Sequence, residues 1–340
     1  MKRVKIIIIL LVVVLFAAIA SAYILLYAPN TSISRKSFLY IKTGSTFSDV
    51  IKQLEKEKLL NSVATFKIVA TKMNYNNRVK PGKYLLKPGL GNYKLIQLLR
   101  SGKQEPVHLV FNNIRTKQDF AGRIAEQLET DSATILSHLN DKHFMAQFGL
   151  NQENALTLFI PNTYQLWWTT NSDDFFKRMA TERKKFWNSE RLSKAKAINL
   201  TPEKVIILAS IVEKESNKND EKPIVAGVYL NRLKKGMLLQ ADPTLIFAWN
   251  DFTIRRVLNV HKTIDSPYNT YKYKGLPPGP IYLPDIKSID AVLNYQHHDY
   301  IYFCAKEDLS GYHNFARTPQ EHELNAARYR KALDVLNIKK

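Results

Sequence analysis

Residues 6–28 run for 23 positions without a charge, and this run restricts the fold more than any other feature. A helix of that length rises roughly 34 Å, enough to cross the hydrocarbon core of a bilayer. Lys2, Arg3 and Lys5 precede it, and Tyr23 and Tyr27 stand near its far end, where interfacial aromatic rings belong. By the positive-inside rule the tail 1–5 is cytoplasmic and residues 6–28 span the inner membrane once. The rest of the chain is then periplasmic or otherwise extracytoplasmic. A cleaved signal peptide is the competing reading, since Ala18-Ile19-Ala20 and Ala20-Ser21-Ala22 resemble cleavage sites. The apolar core of a signal peptide is about 7–15 residues, however, and this run continues well beyond that.

An exported chain limits its own chemistry. Cys304 is the single cysteine of 340 residues, which excludes an internal disulfide and any multi-cysteine zinc or iron–sulfur site. His297 and His298 are adjacent and His313 and His322 nine apart, so no histidine spacing supports a metal, and no cofactor is expected. No Gly-x-Ser-x-Gly nucleophile motif is present, and Cys304 sits in a strand-like run. The net charge is +20, which calls for an anionic partner. Outside the membrane that partner is not nucleic acid but the membrane surface or an acidic polymer of the cell envelope.

The organisation reads as α+β. Residues 29–36 look like a polar linker. A strand at 38–41, a helix at 47–58 capped by Thr46, a helix at 63–73, a strand at 83–86 between Pro-Gly turns, and a helix capped by Asn92 and closed by Gly102 make a small αβ module, 38–104. The remainder, 105–340, forms a larger α+β domain with its core at 201–320. It opens with a connecting strand at 104–111. Helices are predicted at 116–128, 132–139, 173–187, 201–216, about 220–235 and 321–336. Residues from 238 onward are loop-rich, and 300–305 read as a buried strand.

The helix at 201–216 carries the most chemistry. Thr201, Pro202 and Glu203 form a strong helix start, and Val205, Ile206, Ile207, Leu208, Ala209, Ile211 and Val212 make it apolar nearly all round. Glu213 and Glu215 follow. On a helical wheel Glu215 lies roughly 50° from the centre of the apolar face and Glu213 roughly 110°, so Glu215 is the acid carried inward. Burial raises a carboxyl pKa and keeps its proton near neutral pH, as a general acid at a sugar linkage requires. Charges at a helix C-terminus are more often simply solvated, and the wheel alone leaves that open. Asn231, Arg232, Gln240, Asp242, Tyr268, Asn269 and Tyr271 mix amides, charges and rings within about 40 residues. That mixture suits carbohydrate, although Pro-Pro-Gly-Pro and Asp-Pro are also ordinary turn chemistry.

In their order these motifs resemble a known family. Leu208-Ala-Ser-Ile-Val-Glu-Lys-Glu215, Val228-Tyr-Leu-Asn231-Arg232-Leu, Leu239-Gln240-Ala-Asp242-Pro243-Thr244, Tyr268-Asn269-Thr270-Tyr271, Gly275-Leu-Pro-Pro-Gly-Pro280, Tyr302-Phe303 and His313-Asn-Phe315 resemble those of the MltG (YceG-like) endolytic murein transglycosylases. Pro81-Gly-Lys-Tyr84 and Gly102-Lys-Gln104 are similar to the family's LysM-like subdomain, which makes 38–104 the LysM-like module and 105–340 the YceG-like catalytic domain. The resemblance implies a lyase that cuts the bond between N-acetylmuramic acid (MurNAc) and N-acetylglucosamine (GlcNAc) inside a glycan strand. It places the catalytic acid on Glu215, which closes a 1,6-anhydro ring without water. It suggests Asn231, Arg232, Gln240, Asp242, Tyr268, Asn269 and Tyr271 as sugar-binding residues, and it implies contact with nascent glycan and with peptidoglycan synthases at the membrane. One departure stands out: the Glu-Gly pair usual before the Pro-x-Thr-Tyr motif is replaced by Leu156-Thr-Leu-Phe-Ile-Pro161. A non-catalytic peptidoglycan-binding scaffold, with Glu215 structural, is the alternative.

Overall fold

One helix, α1 (Lys2–Tyr27), opens the chain with no buried residue in the computed structural model, which describes residues 2–335. It is long and apolar enough to cross a membrane. The chain divides into two units, the first made of residues 1–109, 127–130 and 164–171, the second of the rest.

The first unit continues with β1 (Ser37–Ile41), α2 (Phe47–Lys56), α3 (Val63–Lys72), β2 (Gly82–Leu86), α4 (Asn92–Ser101) and β3 (Val107–Val110). β1 and β2 pair antiparallel with Leu39 opposite Tyr84. Alternation sends Leu39, Ile41, Tyr84 and Leu86 to one face, where Val50, Leu54, Phe66, Leu95 and Leu99 complete the core. Thr46 and Asp49 close a reciprocal capping box on α2. Two expectations are corrected. Asn92 is not the cap of α4: Gly91 is, and the Asn92 amide donates instead to the Leu25 carbonyl, 2.9 Å, and Thr65 Oγ1, 3.2 Å. Residues 29–36 are not a free linker either. The Asn30 and Thr31 amides both donate to the Leu90 carbonyl, at 2.9 and 3.1 Å, and Ser32 N donates to Leu59.

The second unit is largely helical: α5 (Lys117–Ala125), α6 (Ser132–Asn140) and α7 (Lys142–Ala146). Next in the chain is the short strand β4 (Thr163–Leu166), whose residues 164–166 belong to the first unit, where it pairs with β3. Then come α8 (Ser172–Phe186), α9 (Ser189–Ala197), α10 (Pro202–Glu215), α11 (Lys222–Lys234), α12 (Asp242–Trp249) and α13 (Ile286–Leu293). The hairpin β5 (Tyr302–Ala305) and β6 (His313–Ala316) precedes α14 (Pro319–Val335). Leu336, expected to end that last helix, lies outside the described residues. α10 is the hub, packed by α9, α11, α12 and α13. Its residues 205–212 are all buried, within a cluster that includes Val225, Tyr229, Leu239, Ile281, Ile289 and Val292.

The loop-rich stretch after residue 238 contains α12 and α13. Each is only eight residues long, too short to show a clear period among turn residues. β5, expected to be buried, is half-buried along its length, because it pairs only with β6 and a two-stranded ribbon leaves an edge uncovered.

Candidate active site

The end of α10 is held by the turn that follows it. The hydroxyl of Ser216, the residue after α10, donates to Glu221 Oε2 at 3.0 Å. Glu221 is buried, 3% exposed, and is the residue from which α11 starts. It also accepts from the His313 backbone amide at 2.7 Å and meets His313 Nδ1 at 2.7 Å. One buried carboxylate thus ties α10, α11 and β6 together. On the other side, Ser210 accepts from Ile281 N at 3.1 Å, which docks the proline-rich loop onto α10. Gly279 in that loop passes so close that a Cβ would lie 2.0 Å from the Glu153 carbonyl and 2.8 Å from the Tyr268 hydroxyl.

Glu215 is the last residue of α10 and half-buried. The Tyr229 hydroxyl, on a fully buried ring of α11, donates to its Oε1 at 2.5 Å. With Oε1 engaged as an acceptor, the proton of the neutral acid is carried by Oε2. Burial pushes the Glu215 pKa up to about 7. The Tyr229 hydrogen bond opposes that rise, and the negative charge of Asp242 adds to it. The Tyr229 ring stands edge-on to Phe303, centroids 5.9 Å apart, so β5 fixes the hydroxyl from behind.

Around this acid the chain gathers a polar set. Arg232 Nη2 donates to Gln240 Oε1 at 2.5 Å, while Nε and Nη1 hold the Leu238 and Ile301 carbonyls at 2.9 and 3.1 Å. Gln240 adopts a left-handed φ of +53°, unusual for a residue with a Cβ and common where a site stores strain. Its amide donates to Thr270 O, and Ala241 N donates to Thr270 Oγ1, both at 3.0 Å. The two loops are thereby laced together. The Tyr271 hydroxyl donates to Asp242 Oδ1 at 2.5 Å. Burial, that bond and the charges of Asp242 and Glu215 push its pKa up. Glu215, Arg232, Gln240, Asp242 and Tyr271 are therefore one constellation, with Gln240 and Asp242 exposed.

The other anticipated residues are placed differently. Asn231 spends its amide hydrogens on the carbonyls of His298 and Tyr300, at 2.7 and 3.0 Å. Asn269, fully buried, spends its own on Lys262 and Ile264, at 2.9 and 2.8 Å. Tyr268 packs on Phe247, centroids 4.8 Å apart. Ser216 and Glu221 are participants that sequence reasoning did not single out, and Tyr229 and His313 entered it only inside family motifs, without a role at the acid. Tyr229 reads as one more core residue between Val228 and Leu230, and nothing local marks its hydroxyl as the partner of a carboxyl 14 positions earlier.

A cavity of about 1230 Å³ opens elsewhere, beside the other end of α10, lined by Glu203, Lys204, Ile207, Leu230, Lys234 and His297 among others. Ile207 is eight residues before Glu215, about 12 Å along the helix axis; the lining takes in Asn231 but not Glu215 itself. Among the described residues no group of three His, Cys, Asp or Glu side chains could hold a metal ion.

Comparison with known proteins agrees over most of the chain. Residues 39–328 match the YceG-like family. An endolytic murein transglycosylase of Bacillus subtilis is 29% identical over 305 residues, covering 85% of this chain and 83% of the relative. One from Streptococcus pneumoniae is 27% identical over 319 residues, and there the match spans 57% of the longer relative. A crystal structure of a yceG-like protein from Listeria monocytogenes superposes with a TM-score of 0.59 at 28% identity, covering 86% of this chain and 99% of that one.

Proposed function

We propose that this chain, which belongs to the YceG-like family, is a lyase that α1 anchors in the membrane, an endolytic murein transglycosylase acting on nascent glycan strands. It cleaves the MurNAc–GlcNAc bond within a strand and leaves a 1,6-anhydromuramyl end, which terminates elongation. The observation that carries this reading is a carboxyl buried enough to keep its proton near pH 7, oriented by Tyr229 and bordered by exposed polar groups.

The chemistry needs one acid–base group. Glu215 protonates the glycosidic oxygen from Oε2 as the C1–O bond breaks. The carboxylate left behind takes the proton of the muramyl 6-hydroxyl as O6 bonds to C1, which regenerates the acid. No water is consumed and no second carboxylate acts as nucleophile, unlike the usual two-carboxylate scheme. Burial favours the first step by making Glu215 a neutral donor. The Tyr229 bond favours the second by stabilising the carboxylate.

Gln240, Asp242 and Tyr271 are the side chains that meet the sugar, and the buried Arg232 holds Gln240 for them. Asp242 orients substrate and sustains the raised pKa of Glu215. Asn231 and Asn269 act by fixing the loops, and Tyr268 by supporting the proline-rich loop. A module joined to the membrane helix would keep the enzyme where strands emerge, beside the synthases that make them.

Mass spectrometry of muropeptides released from purified glycan tests the reading. Wild type should give internal cuts ending in 1,6-anhydro sugars, and Glu215→Gln should not. Reducing ends carrying a water oxygen would make the enzyme a hydrolase. Glycan binding without cleavage by either protein would favour a scaffold.

A further inference from the structure

Residues 29–109 hold fifteen Lys and Arg against four Asp and Glu. More than half of the net charge of +20 thus sits in less than a quarter of the chain. Nothing in the candidate active site uses it. The attachment of this region to α1 gives the charge a direction.

The region does not hang from α1 on a tether. Asn92 reaches back to the Leu25 carbonyl of α1 at 2.9 Å, and Asn30 donates to Asn92 Oδ1 at 2.7 Å. Pro29 forms a β-bridge with Gly91. Gly91 approaches the last turn of α1 so closely that a Cβ would lie 2.6 Å from the Tyr27 carbonyl and 3.0 Å from that of Leu26. Leu25 and Leu26 pack against the core of the unit. α4 and α3 are the elements against α1.

An aromatic ladder crosses the same junction. The rings of Tyr23 and Tyr27, both exposed, lie tilted against each other with centroids 5.1 Å apart, and Tyr27 meets Tyr93 at 5.6 Å. Tyrosine at the end of a membrane helix marks the headgroup level, so the ladder carries that level onto the first turn of α4. Lys94, which follows Tyr93 on α4, is exposed, and so is Lys87 in the turn between β2 and α4. On α3, Thr65 touches Asn92. Ile68 and Lys72, three and seven residues further on, share its stripe, and Ile68 is a 53% exposed apolar side chain there.

We infer that this face, formed by Ile68, Lys72, Lys87, Tyr93 and Lys94, rests on the bilayer surface and takes anionic phospholipid headgroups as its partner. The inference rests on α1 spanning the membrane. A basic side chain is attracted to an anionic leaflet, and the attraction is confined to roughly a Debye length. The hydrogen-bonded junction ties the region that carries these lysines to the membrane end of α1.

The test uses the full chain in nanodiscs of phosphatidylcholine alone or mixed with phosphatidylglycerol, and reads lysine acetylation rates by mass spectrometry. Lys72, Lys87 and Lys94 should react several-fold more slowly in the anionic discs and recover at high salt. Lys52, on α2, should react alike in both. Equal rates at all four positions would overturn the inference while leaving the anchor intact. So would protection that appears only when soluble glycan is added, which would assign the face to the polymer. A chain that fails to enter the discs would overturn the anchor and this inference together.

Discussion

Glu213 and Glu215 leave the last turn of α10 two residues apart, toward two differently built sides of the helix. Glu213 meets Lys222 Nζ at 3.0 Å and the Ser288 hydroxyl, and the Lys222 side chain is only 5% exposed. Among the described residues Glu215 has no ion pair; a tyrosine hydroxyl donates to it and Asp242 repels it. One carboxylate is used up in an ion pair that joins α10, α11 and α13. The other is left with its proton and an opening to solvent. Residue type and helix position are shared, so the difference lies in what the neighbouring elements supply. An unpaired carboxyl in a desolvated place is a group available for chemistry.

The largest expected effect sharpens this contrast. Glu215→Gln should lower the release of anhydro-muropeptides by on the order of a thousandfold, the scale of a lost general acid, with the fold intact by circular dichroism. The same variant tests the linkage. The Glu215 pKa rises from 4.5 to about 7 on folding, so the native state binds more protons between those values. Wild-type stability should therefore fall as pH rises through that window, and the Gln variant should lose this dependence in urea titrations.

Next in size, Glu213→Gln should cost about 3 kcal/mol of stability, because it leaves the Lys222 ammonium buried without its partner. Urea midpoints check this, and activity per folded molecule should stay near wild type. A stable Glu213→Gln protein without activity would break the comparison.

Smaller effects separate the two influences on Glu215. Tyr229→Phe removes a hydrogen bond that favours the carboxylate, so the pKa should rise and the alkaline limb of the pH–rate profile should move up by about one unit. Asp242→Asn removes a repelling charge and should move the same limb down by a few tenths of a unit. Shifts of the same sign in both variants would mean that the surroundings of Glu215 are misread.

The sequence was most informative where one local interaction decides. Thr201 capping Lys204, Pro202 in the first turn and eight apolar or small residues in a row were enough to place α10. The 23 uncharged residues were enough to mark α1. The sequence was weakest where two distant segments decide. The wheel expected Glu213 to face away from the core, yet its side chain is 15% exposed, because α11 and α13 cover that side. Residues 29–36 looked like a linker because their polar side chains satisfy partners, the Leu90 backbone amide and Asn92 among them, some sixty positions away. Asn231 and Asn269 looked like sugar ligands because an amide shows the same letters whether it faces solvent or a backbone carbonyl.

By itself the sequence determined the elements: a membrane-length helix, an αβ module, and a buried helix ending in two acids. Apolar periodicity, caps and turn residues act within a few positions, and that is the range a linear pattern can record. Tertiary structure decided which acid is ionically paired and which keeps its proton. That choice depends on Lys222 and Tyr229 of α11, Asp242 of α12 and Ser288 of α13, brought together from three helices. A carboxyl pKa is set by the dielectric, charges and hydrogen bonds within a few ångströms, and those surroundings come into being only when the chain closes around α10.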